Sequence, residues 1–359
     1  MPGMVRAVEL EINSSLGIDS NPFRLNDLFP AQDETFWRND VDIGFGEASP
    51  WYLDLRVIDT QYTSNEPGDT TLFDSRLGYE GLYGESEHTF DLSVGGRSND
   101  STYVSRVTGD VYQVSGQDAG DRYDYYRWDV RGEFKFKLAD RRSILLNLDY
   151  REQDYEDYDE LGISDLDYKS FELELGWQDY WSADFRYRIY ANFNRRDYDD
   201  RRARSLDGIK IPRSDSAYEV ARIVFDTRYR LSRGTFLYAS VRYGEREDNG
   251  GGYYDSETFS GSVRYRKQFN SNGGVFWFSL YYRDLSYDRG DFVQNIENEA
   301  EPPSSQGWRA VMSYERPVKS WAKGELSWFA NARYYAYDSG RQVYEYDRWT
   351  METGLKYEL

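Results

Sequence analysis

The 359-residue sequence contains no cysteine and a single histidine, His88. Disulfides and thiolate chemistry are therefore excluded, as are the multi-His/Cys sets that hold zinc. Proline is scarce, at 9 residues, and no stretch approaches the roughly 20 apolar residues of a transmembrane helix. Mean hydropathy is -0.85, so apolar side chains stand singly among polar ones. H-E-x-x-H and G-x-S-x-G motifs are missing. His88 lies beside a short turn, where an interfacial role outweighs that of a catalytic base, and no acidic pair stands out as a glycosidase pair. These absences predict no enzyme. A basic excess is lacking too: 64 acidic against 44 basic residues leave a formal charge of -20, which argues against a nucleic-acid partner.

What the chain has in plenty is aromatic residues, 18% of the total with 34 Tyr and 10 Trp, set out with a period of two. In the C-terminal stretch, Trp349, Met351, Thr353, Leu355, Tyr357 and Leu359 alternate with Thr350, Glu352, Gly354, Lys356 and Glu358. Such alternation is a strand with one apolar and one polar face. It recurs in Val8, Leu10 and Ile12, in Trp51 to Val57, in Tyr126 to Leu138 and in Phe171 to Trp177. The spacing predicts an all-β chain folded as a closed antiparallel transmembrane β-barrel, whose lipid-facing and lumen-facing residues alternate and so average out as polar. Clear segments number sixteen, with fourteen or eighteen strands as alternatives. Seven short turns alternate with eight long loops. A soluble sandwich, β-helix or propeller fits less well, because many segments reach ten residues and no constant repeat occurs.

Four stretches resist assignment or break the pattern. Residues 96–124 read as a long loop, a tip hairpin over Tyr103 to Val114, or an added membrane strand pair. Residues 195–216 read as a long connection with a basic centre. Val275 to Tyr282 carries aromatics on both faces, which hides its register. The strand through Trp308 and Tyr314 is expected to end at Arg316 and Pro317.

Residues 1–359 are expected to form one barrel without a separate plug domain. No signal peptide is visible in MPGMVRAVELEINSS, so an export signal would have been removed beforehand. The expected location is a Gram-negative outer membrane, with short turns and both termini periplasmic and long loops extracellular. Lipid and lipopolysaccharide would meet the apolar faces, with Trp51, Trp128, Trp177, Trp308 and Trp349 supplying interfacial girdles. Asp154, Glu156, Asp157, Asp159 and Glu160, and separately Asp284 and Asp288, offer hard oxygen ligands to a divalent cation such as calcium. Their spacing is not that of a dedicated calcium loop, and a solvated acidic surface is the simpler reading. No other cofactor is expected.

The polar faces carry the candidate site. Arg186, Arg188, Arg222, Arg228, Arg230, Arg242, Arg264 and Arg266 fall on the inward register of neighbouring strands, with Glu172, Glu174, Asp226, Glu325 and Glu352 placed to balance them. Two functions suit such a set: an ion-pair lattice that holds a polar interior, or a charged constriction that guides an anionic solute or polymer.

With these strands placed, the chain resembles Gram-negative outer-membrane barrels of the porin-like class over nearly its whole length. The terminal strand resembles an assembly signal, with Leu359 where Phe is common. GIDSNPFR, residues 17–24, is similar to the opening of barrels associated with exopolysaccharide secretion and surface-protein export. The first resemblance implies a channel for hydrophilic solutes; the second implies polysaccharide export, with inward Arg and Tyr contacting an acidic glycan. A closed structural barrel, or one gated by a periplasmic secretion partner, is the alternative.

Overall fold

The computed structural model describes all residues except 1–7, 26–32, 47–48, 65, 85–86, 106–108, 159–160, 162–165, 270–272, 289–303, 322 and 340–343. Sixteen long strands form the wall: β1 (Val8–Asp19), β2 (Glu34–Phe45), β3 (Trp51–Tyr62), β4 (Thr70–Tyr83), β5 (His88–Ser101), β6 (Tyr125–Ala139), β7 (Arg142–Tyr155) and β8 (Tyr168–Asp179) make the first half. The second half is β9 (Phe185–Arg204), β10 (Lys210–Ser232), β11 (Thr235–Asp248), β12 (Ser256–Gln268), β13 (Val275–Tyr287), β14 (Ser305–Trp321), β15 (Gly324–Ser339) and β16 (Tyr346–Glu358). Each pairs antiparallel with its chain neighbours, and β1 pairs with both β2 and β16, so the sheet closes. Closure leaves no sheet edge and meets the demand that every backbone polar group in lipid be paired within the protein. The last bonds of the seam join Leu359 and Leu10: the Leu359 N–H donates to the Leu10 carbonyl at 2.9 Å.

Alternation sorts side chains as the sequence pattern predicts. Val57, Phe73, Leu77, Val94, Val130, Leu175, Ile223, Val263, Met312 and Leu355 all point outward and stay exposed, which is the surface of a membrane-spanning barrel. Towards the long-loop end the outward register turns charged. Lys169 approaches Asp199 at 3.0 Å, and Arg195 approaches Asp197 at 2.9 Å. These exposed pairs mark where the strands leave the apolar belt, because lipid-facing ions are costly.

The stretches that resisted reading are now placed. Between β5 and β6 lie a bridge of Val104 with Val111, a two-residue ladder of Gln113–Val114 with Gln117–Asp118 and a 3-10 turn at Gly120–Tyr123, so the described residues of this region add no strand to the wall. Residues 195–216 are mostly strand, contrary to the expected long connection. β9 runs to Arg204, β10 starts at Lys210, and register shifts flank Arg202. Above the belt neither face of this hairpin meets lipid: charge pairs such as Arg202 with Asp215 stand on one side and Ala203, Arg204 and Ser216 are buried, so the apolar period that would have revealed it is missing. Gly250 of the next loop lies so close that a Cβ there would sit 2.3 Å from the Arg204 carbonyl oxygen. In β13, Phe276, Phe278, Leu280 and Tyr282 align with the outward residues of β12 and β14, while Trp277, Tyr281 and Arg283 face the lumen. β14 does not end at Pro317. It continues to Trp321 through a register shift between Pro317 and Lys319, which lets the chain pass a residue that has no N–H to give.

Candidate functional site

The inward registers of the sixteen strands line the lumen, and their charges are segregated. In a ring of sixteen, β1–β4 stand across from β9–β12. The inward side of β1–β5 carries Glu9, Glu11, Asp40, Asp42, Asp54, Asp74 and Asp91, with Arg38, Arg56, Arg76 and Arg97 among them. That of β9–β14 carries the candidate arginines together with Arg283 and Arg309.

On the acidic side the cations are neutralised. Arg56 forms a two-pronged pair with Asp40 at 2.9 and 2.7 Å. Arg76 reaches Asp129 at 3.1 Å, and Arg97 pairs with Asp74. Arg131 bridges Asp129 and Asp149 at 3.1 and 2.7 Å. Tyr52 donates its phenol to Asp91 at 2.9 Å. Asp42 and Asp54 take part in no ion pair among the described residues.

On the basic side the expected balance does not form. Of the five acids proposed as partners, Asp226 alone pairs with one of the candidate arginines, Arg188, at 2.8 Å. Glu172 accepts from Asn192 at 2.6 Å, and Glu174 accepts from Asn147 at 2.8 Å. Glu352 sits on the far wall, where it accepts from Arg333 at 2.8 Å and Asn331 at 3.0 Å. Glu325 lies at the β14–β15 turn and accepts from Ser320 at 2.9 Å. Arg230 is also drawn to a turn, donating to Asp184 at 2.5 Å. The physical reason is reach: an inward residue meets its own sheet neighbours, and charges of one sign occupy adjacent strands here.

Arg186, Arg222, Arg228, Arg242, Arg264 and Arg266 consequently have no carboxylate partner among the described residues. Aromatic rings support several of them instead. The Arg228 guanidinium lies 4.4 Å from the Phe236 ring centre, and Arg264 and Arg266 lie 5.7 and 5.4 Å from Trp277. An aromatic face holds a guanidinium in place without cancelling its charge. Arg222 donates to the Asn192 side-chain oxygen at 3.4 Å. Further along this wall Arg196 stacks on Tyr168 at 3.9 Å. Arg283, Arg309, Arg196, Trp277 and the acidic wall were missed in the sequence reading. Summing the charges of the polar register strand by strand, instead of over the chain, would have shown the split.

The remaining candidates are more local. The His88 Nδ1 accepts the Lys137 backbone N–H at 3.0 Å, and its ring packs 5.0 Å from Tyr83 and 6.0 Å from Phe136. It is occupied in holding a turn. Among the described residues no three acidic, His or Cys side chains gather as a metal site; Asp159 and Glu160 lie outside the described residues. In the loops, Asp124 accepts the Ser101 N–H at 2.7 Å. Burial, reinforced by the neighbouring carboxylates of Asp100, Asp121 and Glu156, pushes its carboxyl up to about 6.

No family model and no curated protein matches the sequence. Among solved structures the fold is similar to OccAB1 of Acinetobacter baumannii, at 10% identity and TM-score 0.49, covering 99% of this chain and 97% of that one. It is also similar to OpdK of Pseudomonas aeruginosa, an outer membrane protein, at 11% identity and TM-score 0.48, covering 98% and 99%. A trimeric form of OmpT, an outer membrane protein of Vibrio cholerae, aligns at 11% identity and TM-score 0.47, covering 99% and 100%.

Proposed function

We propose that the protein is an outer-membrane channel of a Gram-negative bacterium, through which hydrophilic solutes pass between an acidic and a basic wall. The observation that carries this reading is the row of arginines on β9–β14 that have no carboxylate partner among the described residues, set across the ring from Asp42 and Asp54. A purely structural interior would neutralise its charges locally, because an unpaired charge held away from water is costly. Charges left free along one wall of a water-filled lumen instead create a field across it. Anionic groups follow the arginine side, and zwitterions turn so that their two ends face the two walls. Sixteen strands enclose a lumen wide enough for water-borne solutes. The short turns and both termini lie on the periplasmic side, with the long loops outside. Among hydrophilic solutes an acidic saccharide suits a wall of guanidinium groups and aromatic rings.

Planar-bilayer recording of the purified barrel tests the reading. The expected result is a steady ionic conductance whose reversal potential in a salt gradient responds to neutralising Arg264 and Arg266. A barrel that inserts fully and passes no current refutes it.

A further inference from the structure

At the long-loop end the basic wall deepens into a recess of about 400 Å³ formed by β13 to β16. Two rows of the sheet make it. One row sets Tyr281 beside Arg309 and Arg309 beside Tyr335; the other sets Arg283 beside Gly307, then Tyr337 and Tyr346. Gly307 is the floor. It contributes no side chain, and a Cβ added there would already touch the Tyr337 ring at 3.4 Å. The hollow is therefore bounded by two guanidinium groups and by phenol rings. Its volume falls within the roughly 300–1,000 Å³ of small-molecule pockets.

The chemistry of the lining narrows the occupant. Arg283 and Arg309 have no carboxylate partner among the described residues, and Arg309 rests 5.5 Å from the Tyr281 ring centre with its charge intact. The Tyr337 and Tyr346 rings stack at 5.5 Å with 21° between their planes, giving a rigid flat wall. Paired guanidinium groups call for an anion that can accept several hydrogen bonds. Flat phenol faces call for a flat apolar surface, and the hydroxyls of Tyr281 and Tyr335, also in the lining, call for polar partners. A pyranose ring bearing one anionic group offers all three: C–H bonds on its faces, hydroxyls on its rim and a charge at one carbon. A simple inorganic anion would leave the rings unused, and a neutral sugar would leave both guanidinium groups unanswered.

We infer that this recess is a binding subsite for an acidic sugar, entered from the lumen. The inference deepens the channel reading above and rests on it for access. The anionic group lies between Arg283 and Arg309, and the sugar ring packs over Gly307 against the tyrosines.

The test is saturation-transfer NMR and calorimetry on the full-length barrel refolded in detergent micelles, with sodium D-glucuronate as probe. D-glucose and acetate serve as controls that each carry half of its chemistry. Glucuronate is expected to bind at least about tenfold more tightly than either control. Arg309→Gln is expected to weaken it about tenfold, as expected for loss of one charge-assisted contact. Gly307→Val is expected to abolish binding by filling the floor, with the folded barrel verified by its heat-modifiable migration. Absence of glucuronate binding, equal binding of glucose, or unchanged binding in both variants overturns the subsite. Because this measurement needs no membrane, its outcome is separate from that of the channel reading. A barrel that conducts but ignores glucuronate refutes the recess alone, and one that binds glucuronate without conducting refutes the channel alone.

Discussion

Arg348 donates from its Nε to the Asp19 carboxylate at 3.0 Å, across 329 positions of sequence, and so ties the last strand to the first. Asp19 is fully buried. It also accepts the Tyr62 phenol at 3.0 Å and the Asn21 backbone N–H at 3.0 Å. The seam is thus locked near its long-loop end by one carboxylate with donors from β1's own continuation, β3 and β16. Arg348→Gln leaves that carboxylate buried with a weaker partner and is expected to destabilise the barrel by about 3–5 kcal/mol. Removing both charges, in Asp19→Asn with Arg348→Gln, is expected to cost less than Arg348→Gln alone. Urea midpoints of the refolded proteins, followed by tryptophan fluorescence, decide this, and a double variant worse than the single one would show that the pair acts through something other than its charge.

The two walls predict opposite electrical responses. Neutralising Asp42 and Asp54 to Asn is expected to move the reversal potential of the channel towards anion preference. Neutralising Arg264 and Arg266 to Gln is expected to move it towards cation preference. Shifts of the same sign in both variants would contradict a field directed across the lumen.

The sidedness of each strand can be probed with one residue type. Leu175 faces outward in the middle of β8 and is 57% exposed. Leu175→Arg places a cation in lipid and is expected to cost about 2–4 kcal/mol near the bilayer midplane. Ser279 lies on the inward register of β13, and Ser279→Arg is expected to change stability little. Folding into lipid vesicles, assayed by heat-modifiable migration across a urea series, compares them; equal losses would mean that the inward register does not face water.

Asp124 supplies a pH-dependent prediction. Its carboxyl is raised from 3.8 to about 6 in the folded state, mainly by burial. Ionising it therefore works against folding: the penalty is absent below about pH 3.8, grows as pH rises to about 6, and is complete above that. Asp124→Asn keeps an acceptor for the Ser101 N–H and removes the charge. The variant is expected to be more stable than the parent at pH 7.5 and indistinguishable from it below pH 4, as read from paired urea midpoints. A difference that stays constant with pH would refute the assignment.

Legibility in the sequence followed the solvent on each side of the strand. Where one face meets lipid and the other water, as in Phe171 to Trp177 or Trp349 to Leu359, alternation named both the strand and its outward face. Where neither face meets lipid, as in the β9–β10 hairpin above the belt, the apolar period vanished and Arg195 to Arg204 looked like a loop. Where both faces are aromatic, as in Phe276 to Tyr282, only pairing with β12 and β14 set the register. Pro317 looked like an end because a missing N–H usually is one, yet a register shift absorbs it.

The count of sixteen strands, against fourteen or eighteen, needed the structure's placement of the region between β5 and β6. The sequence by itself determined the rest of the architecture: all-β, antiparallel, apolar outward, with the polar register collected inside. Those features depend on side-chain type along single strands, which is local information. Only the tertiary structure decided how the inward charges are used. Arg188 finds Asp226 while Arg242 and Arg266 find no carboxylate among the described residues, and Glu352, spaced like a counter-ion, serves Arg333 on the far wall. Ring closure sets acidic β1–β4 across from basic β9–β12, and it gathers Arg283, Gly307, Arg309, Tyr337 and Tyr346 into one recess. Such neighbours are created by register and closure, which bring together residues that no pattern along a single strand relates.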